Sequence, residues 1–166
     1  MRVVSALAAI GLALFSVVAA HAADWQLFQP AGGGFAIEMP GKPQLKSENR
    51  NGHKLDTALF AIDKAAAGAD LVFMVKYQAR SEPPGDDAPQ ILDNVVKAMA
   101  EGNKLISVDK NDIGDFPARE FVMQDKDDTY QVRAVITDKY FIEVMFIGPA
   151  DNALGKHFLD SFSAGN

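Results

Sequence analysis

The stretch that decides the fold is residues 115–148, "DFPAREFVMQDKDDTYQVRAVITDKYFIEVMFIG". Three apolar or alternating runs are separated by two short breaks, "DKDD" and Asp138-Lys139. The middle run sets Tyr130, Val132, Ala134 and Ile136 against Gln131, Arg133 and Thr137. That two-residue rhythm belongs to a strand with one buried face. Breaks this short join antiparallel neighbours, because a parallel return needs a dozen residues or more. The stretch therefore predicts a meander of strands over 116–124, 129–137 and 140–147, ended by Gly148-Pro149.

Working outward, the rhythm changes on both sides. Downstream, residues 152–162 bring Leu154, Phe158, Leu159 and Phe162 onto one side of a closing helix. Upstream, residues 88–101 carry Ile91, Leu92, Val95, Val96 and Met99 at helical spacing. Asp86 and Asp87 lie near that helix start and Gly102 just past its end, as caps and macrodipole prefer. A strand over 104–108 links this helix to the meander. Before the helix, "SEPPGDDAP" is a linker, and "LVFMVKYQ" (residues 71–78) begins apolar on both faces like a covered central strand. "KAAAGAD" breaks the chain ahead of it. Asn51-Gly52 tolerates positive φ at both positions and closes a two-residue hairpin between "QLKSENR" and "HKLDTALFAID". Phe35, Ile37 and Met39 alternate in a further strand, preceded by a short one over 25–29. Strands and two principal helices together predict an α+β fold, an α/β/α sandwich with a mainly antiparallel sheet.

The chain of 166 residues has room for one domain. Its start reads as a leader: Met1 and Arg2, then an uncharged run over 3–20, then Ala20 and Ala22 around His21. This is a secretory signal peptide over residues 1–22, cleaved near Ala22, with a single domain over 23–166. The expected location is periplasmic or secreted, with no membrane span left after cleavage. The chain has no Cys, which removes disulfides, thiol chemistry and a lipid on an N-terminal Cys. Lys and Arg number 16 against 22 Asp and Glu, a net charge of −6, one unit more negative once Arg2 leaves. An acidic, scattered balance argues against nucleic acid as a partner.

"FAIEMPGKP", the hairpin, "LVFMVKYQ", a helix, "DFPARE", the meander and a closing "HFLDSF" together resemble the PsbP-like (Mog/PsbP) domains. That group includes the extrinsic PsbP subunit of photosystem II, a Ran GTPase nucleotide-release factor and small exported bacterial proteins of unknown role. The resemblance covers nearly all of residues 24–163. It implies an α/β/α sandwich and an accessory or binding role without catalysis.

Sites of chemistry are sparse. Asp125, Asp127 and Asp128 are the candidate metal group, three carboxylates able to face a hard cation, although the EF-hand spacing is absent. Their plain alternative is a solvated hairpin tip. Past the leader only His53 and His157 remain, too few for a zinc site without carboxylates. His157 and Asp160 share a helix face at i, i+3, which suits a surface ion pair. His53 and Asp56 fall on opposite faces of a strand. Gly32–Gly34 and Gly155-Lys156 lack the spacing of a dinucleotide fingerprint or a P-loop and read as turns. Arg119 and Glu120 face opposite ways, each pairing with a neighbour, or with Arg119 anchoring the turn at Pro117. The aromatics Phe73, Tyr77, Tyr140, Tyr130, Phe141 and Phe146 read as sheet faces beneath the helices, with Tyr hydroxyls able to edge a ligand cleft. No catalytic motif and no cofactor motif is present. The expected function is a non-enzymatic exported accessory or binding protein whose partner is another envelope protein. The alternatives are a carrier of a small apolar or amphipathic ligand between sheet and helix, and a hydrolase with an unrecognised site.

Overall fold

A computed structural model describes residues 24–165; the leader read over residues 1–22 lies outside them. In chain order the elements are β1 (Gln26–Phe28), β2 (Phe35–Met39), β3 (Gln44–Arg50), β4 (His53–Ile62), α1 (Lys64–Ala67) and β5 (Leu71–Ala79). They continue with α2 (Ala88–Ala100), β6 (Lys104–Asp109), β7 (Asp112–Ile113), β8 (Phe116–Asp125) and β9 (Asp128–Ile136). The last are β10 (Tyr140–Ile147), α3 (Ala153–Asp160) and β11 (Ser163–Ala164).

The meander forms as its rhythm predicts. β8 pairs with β9 and β9 with β10, all antiparallel, with Phe121 opposite Val132 and Val132 opposite Met145. The eight-stranded sheet runs β3-β4-β5-β10-β9-β8-β6, with β7 attached to β8. β5 is an interior strand next to the central β10, and its early residues are buried toward both faces: Leu71, Phe73 and Val75 on one, Met74 on the other. Asn51 and Gly52 take positive φ, 53° and 82°, and turn β3 into β4.

The α/β/α sandwich is not formed. The molecule is rich in β-structure, and a second sheet of three strands, β1-β2-β11, replaces most of one helical layer. Phe35, Ile37 and Met39 do alternate as a strand, but they pack down onto the large sheet from that separate layer. α3 shares the same face and spans only eight residues. The opposite face carries α2, whose Ala88, Leu92 and Val96 pack over Phe121, Val132, Ala134 and Ile136. A helical rhythm in sequence shows that a helix lies on something; it does not show how much of the sheet it covers. With one helix per face, the remaining area is filled by strands or left half-open.

The face under α3 is the more densely filled. Phe73 sits 5.2 Å from Phe146 and edge-on to Phe158 at 5.4 Å, centroid to centroid. Phe35, Tyr77 and Tyr140 make a second edge-on group, 5.3 to 5.9 Å apart. Such geometry matches the ring quadrupoles. Gly155 makes the docking of α3 possible, because a methyl group there would overlap the Phe146 ring.

One arginine pins each of the two longer helices, α2 and α3, to the sheet. Buried Arg119, on β8, donates to Asp93 of α2 at 2.7 Å and to the Pro89 carbonyl at 3.2 Å. Arg133, on β9, points to the other face, bonding the Leu159 carbonyl at the end of α3 and pairing with Glu120 and Asp160. Arg119 and Glu120 thus face opposite ways as expected. Arg119 holds a helix and also donates to the Ala118 carbonyl beside Pro117, at 2.8 Å.

Candidate functional site

The outward face of the small sheet is set by the same alternation that buries its inner one. With Phe35, Ile37 and Met39 facing the core, Ala36 and Glu38 of β2 must face away. Leu27 of β1 lies opposite Glu38, and Ser163 of β11 opposite Ala36. The end of α3 rises beside them, its start capped by the Asn152 side chain, which accepts from the Leu154 and Gly155 amides. Together these elements enclose an open groove of about 370 Å³ lined by Leu27, Ala36, Glu38, His157, Asp160, Ser161 and Ser163.

The groove's polar groups are linked to one another. His157 donates from Nε2 to Glu38 Oε2 over 2.5 Å, and the Trp25 ring lies 4.0 Å from the imidazole, tilted by 36°. The Ser161 hydroxyl donates to the Phe158 carbonyl at 2.8 Å and accepts from the Glu38 amide at 3.0 Å. Asp160 pairs with Lys156 and Arg133; the Lys156 hydrogen bond, aided by Arg133, holds its carboxyl below the usual range. The apolar contribution is Leu27, 66% exposed at the rim. A smaller hollow of about 160 Å³, lined in part by Ser107, Asp109, Glu120 and Gln131, lies on the same side of the large sheet. Arg133 lines it as well, so its guanidinium and Asp160 stand between the two concavities.

His157 and Asp160 therefore share a helix face without pairing: His157 turns to Glu38 instead. Glu38, Trp25, Leu27 and Ser161 were not legible as site residues. His157 and Glu38 are 119 residues apart in the chain, and the only hint was that Glu38 is the polar position in an otherwise buried strand. A general base beside a carboxylate is in place, but the Ser161 hydroxyl is engaged on both its donor and an acceptor side.

The other sequence candidates are dispersed. Asp125 and Asp128 face each other across the turn formed by Lys126, at φ 52°, and Asp127. Among the described residues no group of three His, Cys, Asp or Glu side chains is placed to hold a metal ion. This hairpin tip is a solvated turn. His53 is exposed at the far hairpin, opposite Arg50. Burial pushes the Asp56 carboxyl up, but bonds from Ser47 and Lys54 together hold it below its ordinary value. In the Gly32–Gly34 turn the Tyr140 ring packs directly on Gly34, while Lys139 donates to the Gly32 carbonyl at 3.0 Å. Phe73, Tyr77, Tyr140 and Phe146 lie beneath α3 and the small sheet, and Tyr130 and Phe141 lie on the α2 side. The space between sheet and helices that a carrier would use is filled by these rings.

On the α2 side, Glu143 of β10 stands between Lys76 and Ala134 in register. Burial pushes its carboxyl up, against the opposing pull of Lys76 and Arg50. Among the described residues no helix is long and apolar enough to cross a membrane.

No family model matches the chain, and no curated protein matches it. Among solved structures, a protein from Bacteroides thetaiotaomicron VPI-5482 is similar over 84% of this chain, with 15% identity and a TM-score of 0.44. The match spans 48% of that protein, about half its length. A likeness of that degree transfers neither fold nor role.

Proposed function

We propose that this chain is an exported, non-enzymatic binding domain of the bacterial envelope, meeting another envelope protein through the groove beside α3. The carrying observation is the composition of that groove. An exposed Leu27 sits beside the linked pair Glu38 and His157, with Asp160 held separately by Lys156 and Arg133, on a shallow surface with a small-residue floor of Ala36 and Ser163. Apolar anchors rimmed by polar groups suit a protein partner. The leader-like start supports export, and the PsbP-like resemblance supports an accessory role. A small-ligand carrier is less well supported, because the interior between sheet and helices is packed and the groove is open.

The test is a photo-crosslinking residue at position 27, compared with one at Lys97 on the exposed side of α2, in cells exporting the protein. Adducts of defined mass at position 27 and none at position 97 are expected. Identical patterns at both positions would sink the proposal. Retention of the protein in the cytoplasmic fraction would remove the envelope part of it.

A further inference from the structure

We infer that His157 is a protonation-dependent latch that holds Trp25 and β1 against α3 and so fixes the groove wall. This inference concerns the regulation of the groove and rests on its reading as a binding surface. His157 is the one side chain that ties three parts of the site together. It belongs to α3, bonds Glu38 of β2, and carries the indole of Trp25, the residue just before β1. Apart from Phe28, whose ring packs 6.1 Å from those of Phe35 and Tyr77, β1 is lightly held. It has three residues and pairs with β2 along one edge only, at the margin of the small sheet. Leu27 of this same strand forms the groove's apolar rim. Whatever shifts Trp25 therefore shifts Leu27 and changes the groove wall.

The charges around the imidazole fix the sign. Glu38 faces it from β2, Lys156 and Asp160 belong to its own helix, and Arg133 reaches the same corner from β9. Asp160 is already paired with Lys156 and Arg133, so the charge that faces His157 directly is the Glu38 carboxylate. A neutral imidazole keeps one hydrogen bond to Glu38. A protonated one adds a full ion pair and places a cation against the indole. Gain of a proton by the imidazole therefore favours the closed contact, and its loss favours release. An exposed cation–π contact alone raises the closed-to-open ratio by about two- to fivefold. The groove wall is thereby held more firmly in acid and is looser at neutral or higher pH.

The experiment uses the fact that Trp25 is the only tryptophan in the chain. Acrylamide quenching of its fluorescence is measured on the exported protein at pH 8 and at pH 5.5. Quenching should fall at the lower pH as the indole is covered. His157→Gln should abolish the difference, His53→Gln should keep it, and Glu38→Gln should reduce it. Equal quenching at both pH values, or a difference that survives His157→Gln, would overturn the latch. Crosslinking from position 27 is read separately, so pH-independent Trp25 with intact adducts would remove the latch and leave the groove reading standing.

Discussion

The two faces of the large sheet are covered by different means. Under α3 and the small sheet, a continuous cluster runs from Phe35, Ile37 and Met39 through Phe73 and Phe146 to Phe158 and Phe162, all buried. Under α2 the cluster has one buried ring, Phe121, among smaller or more flexible side chains: Met74, Met123, Met145, Leu92, Val132 and Ala134. There Leu59, Val72, Phe141 and Ile147 are only partly buried. The contrast teaches that one sheet can be closed by interlocking aromatics on one side and by a single clamped helix on the other. Both faces also carry an arginine clamp, Arg133 at the better-hydrated α3 end and Arg119 buried under α2.

The strongest way to break this comparison is to empty each side in turn. Phe146→Ala should cost about 4 kcal/mol by urea denaturation, and Leu92→Ala about 3 kcal/mol. The reverse order would place the main core under α2. A subtler insult follows from the close seat of α3: Gly155→Ala should cost about 2 kcal/mol by overpacking against Phe146, seen as a lowered Tm. An unchanged Tm would mean that α3 can lift without loss.

The clamps come next. Arg119→Met leaves the Pro89 carbonyl and Asp93 without their buried donor and should cost about 2 kcal/mol, while Arg133→Met, at a half-buried and better-hydrated site, should cost about 1 kcal/mol. Equal losses in chemical denaturation would remove the distinction between the two.

The smallest effects concern pH, and their signs differ. The Arg119 hydrogen bond, aided by Lys110, holds Asp93 below the usual carboxylate range. Its contribution is therefore full above the unfolded value and lost as pH falls through the depressed folded one, so Asp93→Asn should flatten the acid side of the stability curve. Glu143 is the opposite case. Burial raises it, so the folded state holds its proton more tightly and stability falls as pH rises from the ordinary carboxyl range through the raised value. Glu143→Gln should stabilise the protein at pH 7, with a gain that shrinks in acid. Denaturation midpoints of both variants from pH 3 to pH 8 check the pair.

Much of the local structure was legible. The meander, the Asn51-Gly52 hairpin and the core rhythms of α2 and α3 all follow from short-range chemistry, whereas Asp87 at the start of α2 makes no side-chain cap bond. Turn residues select φ, and apolar spacing selects a period. The layer plan was not legible. Phe35–Met39 has the pattern of any strand with one buried face, and nothing in it says whether it joins the large sheet or lies across it. The two-residue strand β11 that completes the small sheet is too short to leave a rhythm at all. The acidic triplet at 125–128 drew attention because carboxylates are conspicuous in sequence, whereas a solvated turn holds them apart from any other ligand.

By itself the sequence determined which residues turn, which alternate and which wind, since those depend on neighbours within a few positions. It also ruled out thiol chemistry by containing no Cys. Only the tertiary structure decided that Trp25, Glu38 and His157 meet, and that the second layer is half sheet and half helix. Contacts between segments more than a hundred residues apart are set by how whole faces pack, and no local preference encodes that.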